Sequence, residues 1–124
     1  NKIKYKKITF LGVTFKPNTD DMRESSSLFM IPYLQKRGAK VNYFDPSGEK
    51  REFSKLKNVF FSEDISMACK KADLVIIHTE WDEFKALDFK KLSKERKFKI
   101  YDMRNLYSPK YMKKLGFLYY SLGR

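Results

Sequence analysis

One cysteine, one histidine and one tryptophan occur in 124 residues. A lone Cys69 excludes an internal disulfide, and with the single His78 it leaves no cluster of the spacing that zinc requires. No apolar run approaches the ~20 residues of a membrane span, and the alternation of lysine with apolar residues over 1–7 is unlike a signal peptide. Neither Gly-x-Gly-x-x-Gly nor Gly-x-x-x-x-Gly-Lys-Ser/Thr is present, so a phosphate contact would rest on side chains. Acidic residues are also scarce, 15 against 27 lysines and arginines, for a net charge of +12. That surplus invites a nucleic-acid reading. The lysines are scattered, however, from Lys2 to Lys7, Lys50 to Lys57, Lys70 to Lys71 and Lys90 to Lys99, and most aromatics lie inside apolar patterns. A lysine-rich solvated surface is the simpler account, and we read the chain as a cytoplasmic domain that binds neither nucleic acid nor membrane.

Its length suits one domain with its own core. Residues 1–7 read as a lead-in from an upstream domain, and 8–124 as a single folded unit. Apolar, β-prone runs at Ile8–Val13, Lys40–Phe44, Leu74–Ile77, Phe98–Tyr101 and Phe117–Tyr120 alternate with helical patterns, and a shorter run falls at Val59–Phe61. Helices are expected at Ser25–Arg37, stopped by Gly38, along Ile65, Ala68, Cys69 and Ala72, around Leu92–Arg96, and from Ser108-Pro109 to Lys114. Pro32 predicts a kink in the first, or a start later than its capping residues suggest. Ser47–Asn58 is polar and without period, and reads as a loop. Alternating strand and helix predict a three-layer α/β/α, Rossmann-like, doubly wound parallel sheet of about five strands.

In such a sheet the loops beyond the carboxyl ends of the strands form the ligand crevice. The loop after the first strand, Gly12 to Ser25 (GVTFKPNTDDMRES), carries Lys16, a mobile charge, and Arg23, a planar fork suited to phosphate or carboxylate. Thr19, Asp20 or Asp21 could cap the helix that follows. Two readings stand: a phosphate grip, or a solvated lysine with Arg23 paired to Asp20 or Asp21. Arg104 follows a strand at the same edge. Asp45-Pro46-Ser47-Gly48 is a strong turn sequence, so Asp45 is assigned to the turn. Cys69 falls on an apolar stripe and reads as a buried, inert thiol. Trp81 and Phe84 read as packing residues, and His78 as structural.

GVTFKPNTDDMRES, YFDP at Tyr43–Pro46, ADLVIIHTEWDEF at Ala72–Phe84, YDMRNLY at Tyr101–Tyr107 and the closing GFLYYSLGR occur in order over nearly the whole chain. Together they resemble the C-terminal, UDP-binding domain of the UDP-glucose/GDP-mannose dehydrogenase family. TDDMRES and TEWDEF are closer to the members that oxidise UDP-glucose to UDP-glucuronate than to those acting on UDP-N-acetylmannosamine or GDP-mannose. The resemblance implies that Phe15, Lys16 and Arg104 contact the nucleotide sugar, and that Arg23 reaches the NAD side of the cleft. It implies successive hydride transfers to NAD through a thioester on a catalytic cysteine. That cysteine and the NAD-binding domain would lie before Asn1, and Cys69 does not match the catalytic position. The fragment alone is then not catalytic, and the full-length enzyme, a homodimer or higher assembly, would take UDP-glucose and NAD.

Overall fold

A computed structural model describes residues 2–123. Its strands are β1 (Lys7–Leu11), β2 (Lys40–Phe44), β3 (Val59–Phe61), β4 (Leu74–Ile77), β5 (Lys99–Asp102) and β6 (Tyr119–Ser121). They form one parallel sheet in the order β3-β2-β1-β4-β5-β6. The chain winds outward in one direction from β1 to β3 and in the other from β4 to β6. Its switch point therefore lies between β1 and β4, where such sheets hold ligands. Six strands replace the expected five or so. The extra one is β3, which is the short apolar run at Val59–Phe61, three residues with a half-exposed Phe60.

The helices are α1 (Ser27–Lys36), α2 (Ile65–Cys69), α3 (Phe89–Leu92) and α4 (Pro109–Lys114). Successive side chains of β4 serve opposite faces of the sheet, as the pleat requires. Val75 and Ile77 join Leu11, Ile100, Ala68, Cys69, Phe89 and Met112 on one face. Ile76 joins Ile8, Phe10, Val41, Tyr43 and Ile31 on the other. An apolar run buried on both sides is what a central parallel strand demands. Burial pushes the Cys69 thiol up to about 12, in keeping with an inert core residue.

Three local expectations are corrected. The first helix begins at Ser27 and ends at Lys36, with no side-chain cap, so none of Thr19, Asp20 and Asp21 caps it. Thr19 accepts from the Asp21 N–H and Asp21 from the Arg23 N–H, which spends both on turns inside the loop. Pro32 sits in the second turn of this later-starting helix. The charged helix predicted around Leu92–Arg96 lies earlier, at Phe89–Leu92, because Asp88 caps it by accepting from the Lys91 N–H at 3.1 Å. Within Ser47–Asn58, Arg51–Phe53 forms a 3-10 turn that drives Phe53 into the core, edge-on to Tyr43 at 5.2 Å. No helix among the described residues is long and apolar enough to cross a membrane.

Candidate functional site

The site begins where β1 ends. Gly12 adopts φ +82° and its N–H donates to the Phe44 carbonyl at 2.8 Å. A Cβ there would lie 2.6 Å from Thr79 Cβ, so the loop after β1 can approach the loop after β4 only through glycine. Asp45, buried at the end of β2, takes the next N–H: its Oδ2 accepts from Val13 at 2.8 Å while Oδ1 accepts from the Ser47 N–H at 2.9 Å. The turn role expected for Asp45 is therefore present, with a tether on the β1 loop added. Ser25 and Ser27 hydroxyls both donate to the Val13 carbonyl at 2.6 Å, closing the base of the Gly12–Ser25 loop.

Arg104 reaches this loop from β5. Its Nε donates to the His78 carbonyl at 2.8 Å and an Nη2 proton to the Phe15 carbonyl at 3.2 Å, with Glu80 Oε1 3.6 Å from Nε. A guanidinium has five N–H groups, so these two bonds leave three for a ligand. The side chain of Arg104 is one-third exposed, and Phe15 and Lys16 beside it are exposed. Phe15, at 48 % exposure, offers an aromatic face unclaimed by the core.

Beneath Arg104, Asp102 is completely buried and shapes the turn. Its Oδ1 accepts from the Arg104 N–H at 3.0 Å, and Oδ2 accepts from Leu106 N–H at 2.7 Å, Tyr107 N–H at 3.0 Å and Tyr119 O–H at 2.6 Å. Four donors on one carboxylate fix the direction in which the loop presents its arginine. The sequence places Asp102 at a strand end but offers no sign of this role. An Asp two residues before an Arg, at the close of an apolar strand, is the only signal it leaves.

Arg23 stands apart from that group. Its Nε and Nη2 grip Asp21 Oδ1 and Oδ2 at 3.1 and 3.0 Å, and its side chain is 89 % exposed. The hydrogen bonds from Arg23 hold the Asp21 carboxyl down to about 2. Arg23 lines a cleft of about 500 Å³ on the β2 side of the loop, where Lys50 and Arg51 stand among the carboxylates of Asp20, Asp21, Glu49 and Glu52. The structure thus gathers Phe15, Lys16 and Arg104 near the switch point and sets Arg23 at the rim toward β2. Of the two readings of the loop, the Arg23–Asp21 ion pair is present, and it leaves three N–H groups of Arg23 unspent.

His78 and Thr79, after β4, are buried between these loops. The His78 ring meets Ser26 Oγ at 2.9 Å and Thr79 Oγ1 at 3.1 Å, and Thr79 donates to the Thr14 carbonyl at 2.8 Å. Burial, and then the Arg104 charge, lower the imidazole to about 4. Phe84 is fully buried and Trp81 packs against the same core, as expected, with its indole Nε1 buried and lacking a hydrogen-bond acceptor. Among the described residues no three His, Cys, Asp or Glu side chains cluster as a metal site.

Comparison with known proteins gives the family and the fold. Residues 9–109 match the family model described as UDP-glucose/GDP-mannose dehydrogenase family, UDP binding domain. The chain is 42% identical over 123 residues to UDP-glucose 6-dehydrogenase of Rhizobium meliloti (strain 1021), covering 98% of this chain and 28% of that protein. It is 36% identical to UDP-glucose 6-dehydrogenase TuaD of Bacillus subtilis (strain 168), covering 98% of this chain and 27% of the relative. The chain therefore spans under a third of the length of these relatives. Among solved structures, the UDP-D-ManNAc dehydrogenase from Pyrococcus horikoshii superposes with TM-score 0.80 at 25% identity, over 99% of this chain and 27% of that one. The UDP-glucose dehydrogenase from Pyrobaculum islandicum gives TM-score 0.67 at 32% identity, over 81% of this chain and 22% of that one. A parallel sheet wound outward from β1 and β4 and a family match over 9–109 agree: the chain belongs to the UDP-glucose/GDP-mannose dehydrogenase family and is its UDP binding domain.

Proposed function

We propose that this domain grips the UDP moiety of UDP-glucose in an NAD-dependent UDP-glucose 6-dehydrogenase, which oxidises the sugar to UDP-glucuronate. The observation that carries the reading is Arg104, whose guanidinium is pinned by two backbone carbonyls yet keeps three N–H groups for a diphosphate. Lys16 adds a second cation, and Phe15 an apolar face for the nucleotide. Residues 8–124 together with Lys7, the first residue of β1, form the binding domain, and the residues before Lys7 are the lead-in to it. The catalytic cysteine and the main NAD site belong to parts of the enzyme outside these residues, and the working assembly is a cytoplasmic homodimer or larger. NAD takes up the hydrides in the reaction. This chain, without the glycine fingerprint, offers NAD one contact, Arg23 at the rim.

In the full-length enzyme, losing a charge-assisted phosphate contact costs about 1.5–3 kcal/mol, so Arg104→Ala raises the UDP-glucose KM by one to two decades. Arg23→Ala acts mainly on the NAD KM. Unchanged kinetics in Arg104→Ala would remove that residue from the site, and an effect of Arg23→Ala on UDP-glucose alone would reverse its assignment. Structures of dehydrogenases for other nucleotide sugars superpose closely, so a sister substrate is the second reading. Assay of the enzyme against UDP-glucose, UDP-N-acetylmannosamine and GDP-mannose separates the two.

A further inference from the structure

A closed circuit of hydrogen bonds surrounds Arg104. From its Nε the circuit runs to the His78 carbonyl, through the His78 ring to Thr79 Oγ1, from Thr79 to the Thr14 carbonyl, and along the chain to Phe15, whose carbonyl accepts from Nη2. A branch leaves the ring for Ser26 at the start of α1. Ser26 occupies the N-cap position, where a serine hydroxyl ordinarily accepts from the helix's own N–H groups. Here it makes no cap bond and is spent on His78 instead.

The proton positions follow from the partners, Ser26 and Thr79 on the two ring nitrogens, beside a further hydrogen bond of the ring to the Gly12 backbone. Thr79 has one hydroxyl proton, and the Thr14 carbonyl, which can only accept, takes it. Thr79 Oγ1 therefore accepts from His78 Nδ1–H. The neutral ring is left with a bare Nε2 that accepts the Ser26 proton.

We propose that His78, as the Nδ1–H tautomer locked by Ser26 and Thr79, is the positioning residue that holds Arg104 and the Gly12–Ser25 loop in the geometry that receives a nucleoside diphosphate. The proposal rests on the UDP reading above. A ring held at both nitrogens fixes the peptide that bears the carbonyl for Arg104. Releasing the Ser26 end removes the tie between the start of α1 and the loop after β4, leaving the Thr79–Thr14 bond to hold the Gly12–Ser25 loop on that side.

The test uses the 124-residue chain, labelled with nitrogen-15, and UDP as the probe. Wild type is expected to show the imidazole pattern of an Nδ1–H tautomer and a slowly exchanging Arg104 Nε–H. Ser26→Ala should speed exchange of that proton and weaken UDP binding about five-fold, the worth of one hydrogen bond, while the amide spectrum stays dispersed. Ser26→Thr restores the hydroxyl and should recover both signals. An Nε2–H tautomer in the wild type would overturn the proposal. So would Ser26→Ala with unchanged Arg104 Nε–H exchange, or with UDP affinity equal to wild type. If UDP binds none of the variants, the UDP reading fails, and the positioning claim, limited to Arg104 itself, is still decided by the tautomer and the Nε–H exchange.

Discussion

Replacing Gly12 by alanine tests whether close approach of the β1 and β4 loops builds the site. Two costs are separable. Alanine at φ +82° pays about 1–2 kcal/mol for the left-handed backbone. Its Cβ would also stand 2.6 Å from Thr79 Cβ, 2.8 Å from Oγ1 and 3.0 Å from the Thr79 nitrogen. The last of these is backbone, so rotating the threonine does not relieve the crowding, and overpacking of this kind costs about 1–3 kcal/mol. Gly48 supplies the control: its φ is +100° and nothing lies within 4 Å of a Cβ built on it. Alanine lowers the entropy of the unfolded chain equally at both positions, so the difference between the variants isolates the contact. In urea unfolding followed by the single Trp81, Gly12→Ala should lose about 1–3 kcal/mol more than Gly48→Ala. Because Thr79 bonds both Thr14 and His78, it should lose UDP affinity as well. Equal destabilisation by the two substitutions would refute the claim that glycine is needed for this contact.

Other substitutions probe the remaining supports. Burial, and then the Arg104 charge, lower folded His78 from 6.5 to about 4, against Asp45 and a hydrogen bond to the Gly12 backbone, which raise it. The unfolded chain therefore binds the extra proton first as pH falls, and stability declines from pH 6.5 to about 4 by about 3 kcal/mol. Urea midpoints at pH 7 and 4.5 should converge in His78→Gln, and an undiminished slope would assign the decline to other groups. Asp102→Ala takes the acceptor from three part-buried loop N–H groups and leaves the Tyr119 O–H to the Tyr107 carbonyl, and should cost about 3 kcal/mol or more, with Asp102→Asn intermediate because its amide can satisfy only some of them. A loss under 1 kcal/mol in chemical denaturation would contradict that network. Arg23→Ala should leave stability within about 0.5 kcal/mol, since its ion pair is solvent-exposed, and a larger loss would mean that Arg23 serves the fold.

Much of this architecture is written in local patterns. The continuous apolar run Leu74–Ile77 announces a strand covered on both faces, and it lies in the centre of the sheet. Ser108-Pro109 announces the start of α4, and the Ser108 hydroxyl caps it as local rules require. Local rules fail where side chains are drawn into long-range contacts. The later start that Pro32 suggests is found, but the capping candidates fail because Thr19 and Asp21 turn inward on their own loop and the Ser26 hydroxyl goes to His78, 52 residues away. Phe53 is hidden in a polar segment, and only the packing of Tyr43 shows why an aromatic is there.

The candidate site divides in the same way. Cations at strand ends are legible, and the carboxyl-edge rule places Lys16 and Arg104 at one edge of the sheet. The acceptors that aim Arg104 are backbone carbonyls of Phe15 and His78, which carry no mark in the sequence. Asp102 and His78 each look ordinary in line. Their importance comes from four donors converging on one carboxylate and two hydroxyls on one ring, which only the fold assembles.

Titration of the nitrogen-15-labelled chain with UDP is the most direct measurement of the central claim. Saturable shifts should concentrate at Phe15, Lys16 and the Arg104 Nε–H, and Arg104→Ala should weaken them by at least ten-fold in apparent Kd while its amide spectrum remains folded. Absence of saturable binding into the millimolar range, or binding that Arg104→Ala leaves unchanged, would contradict a UDP grip built on Arg104.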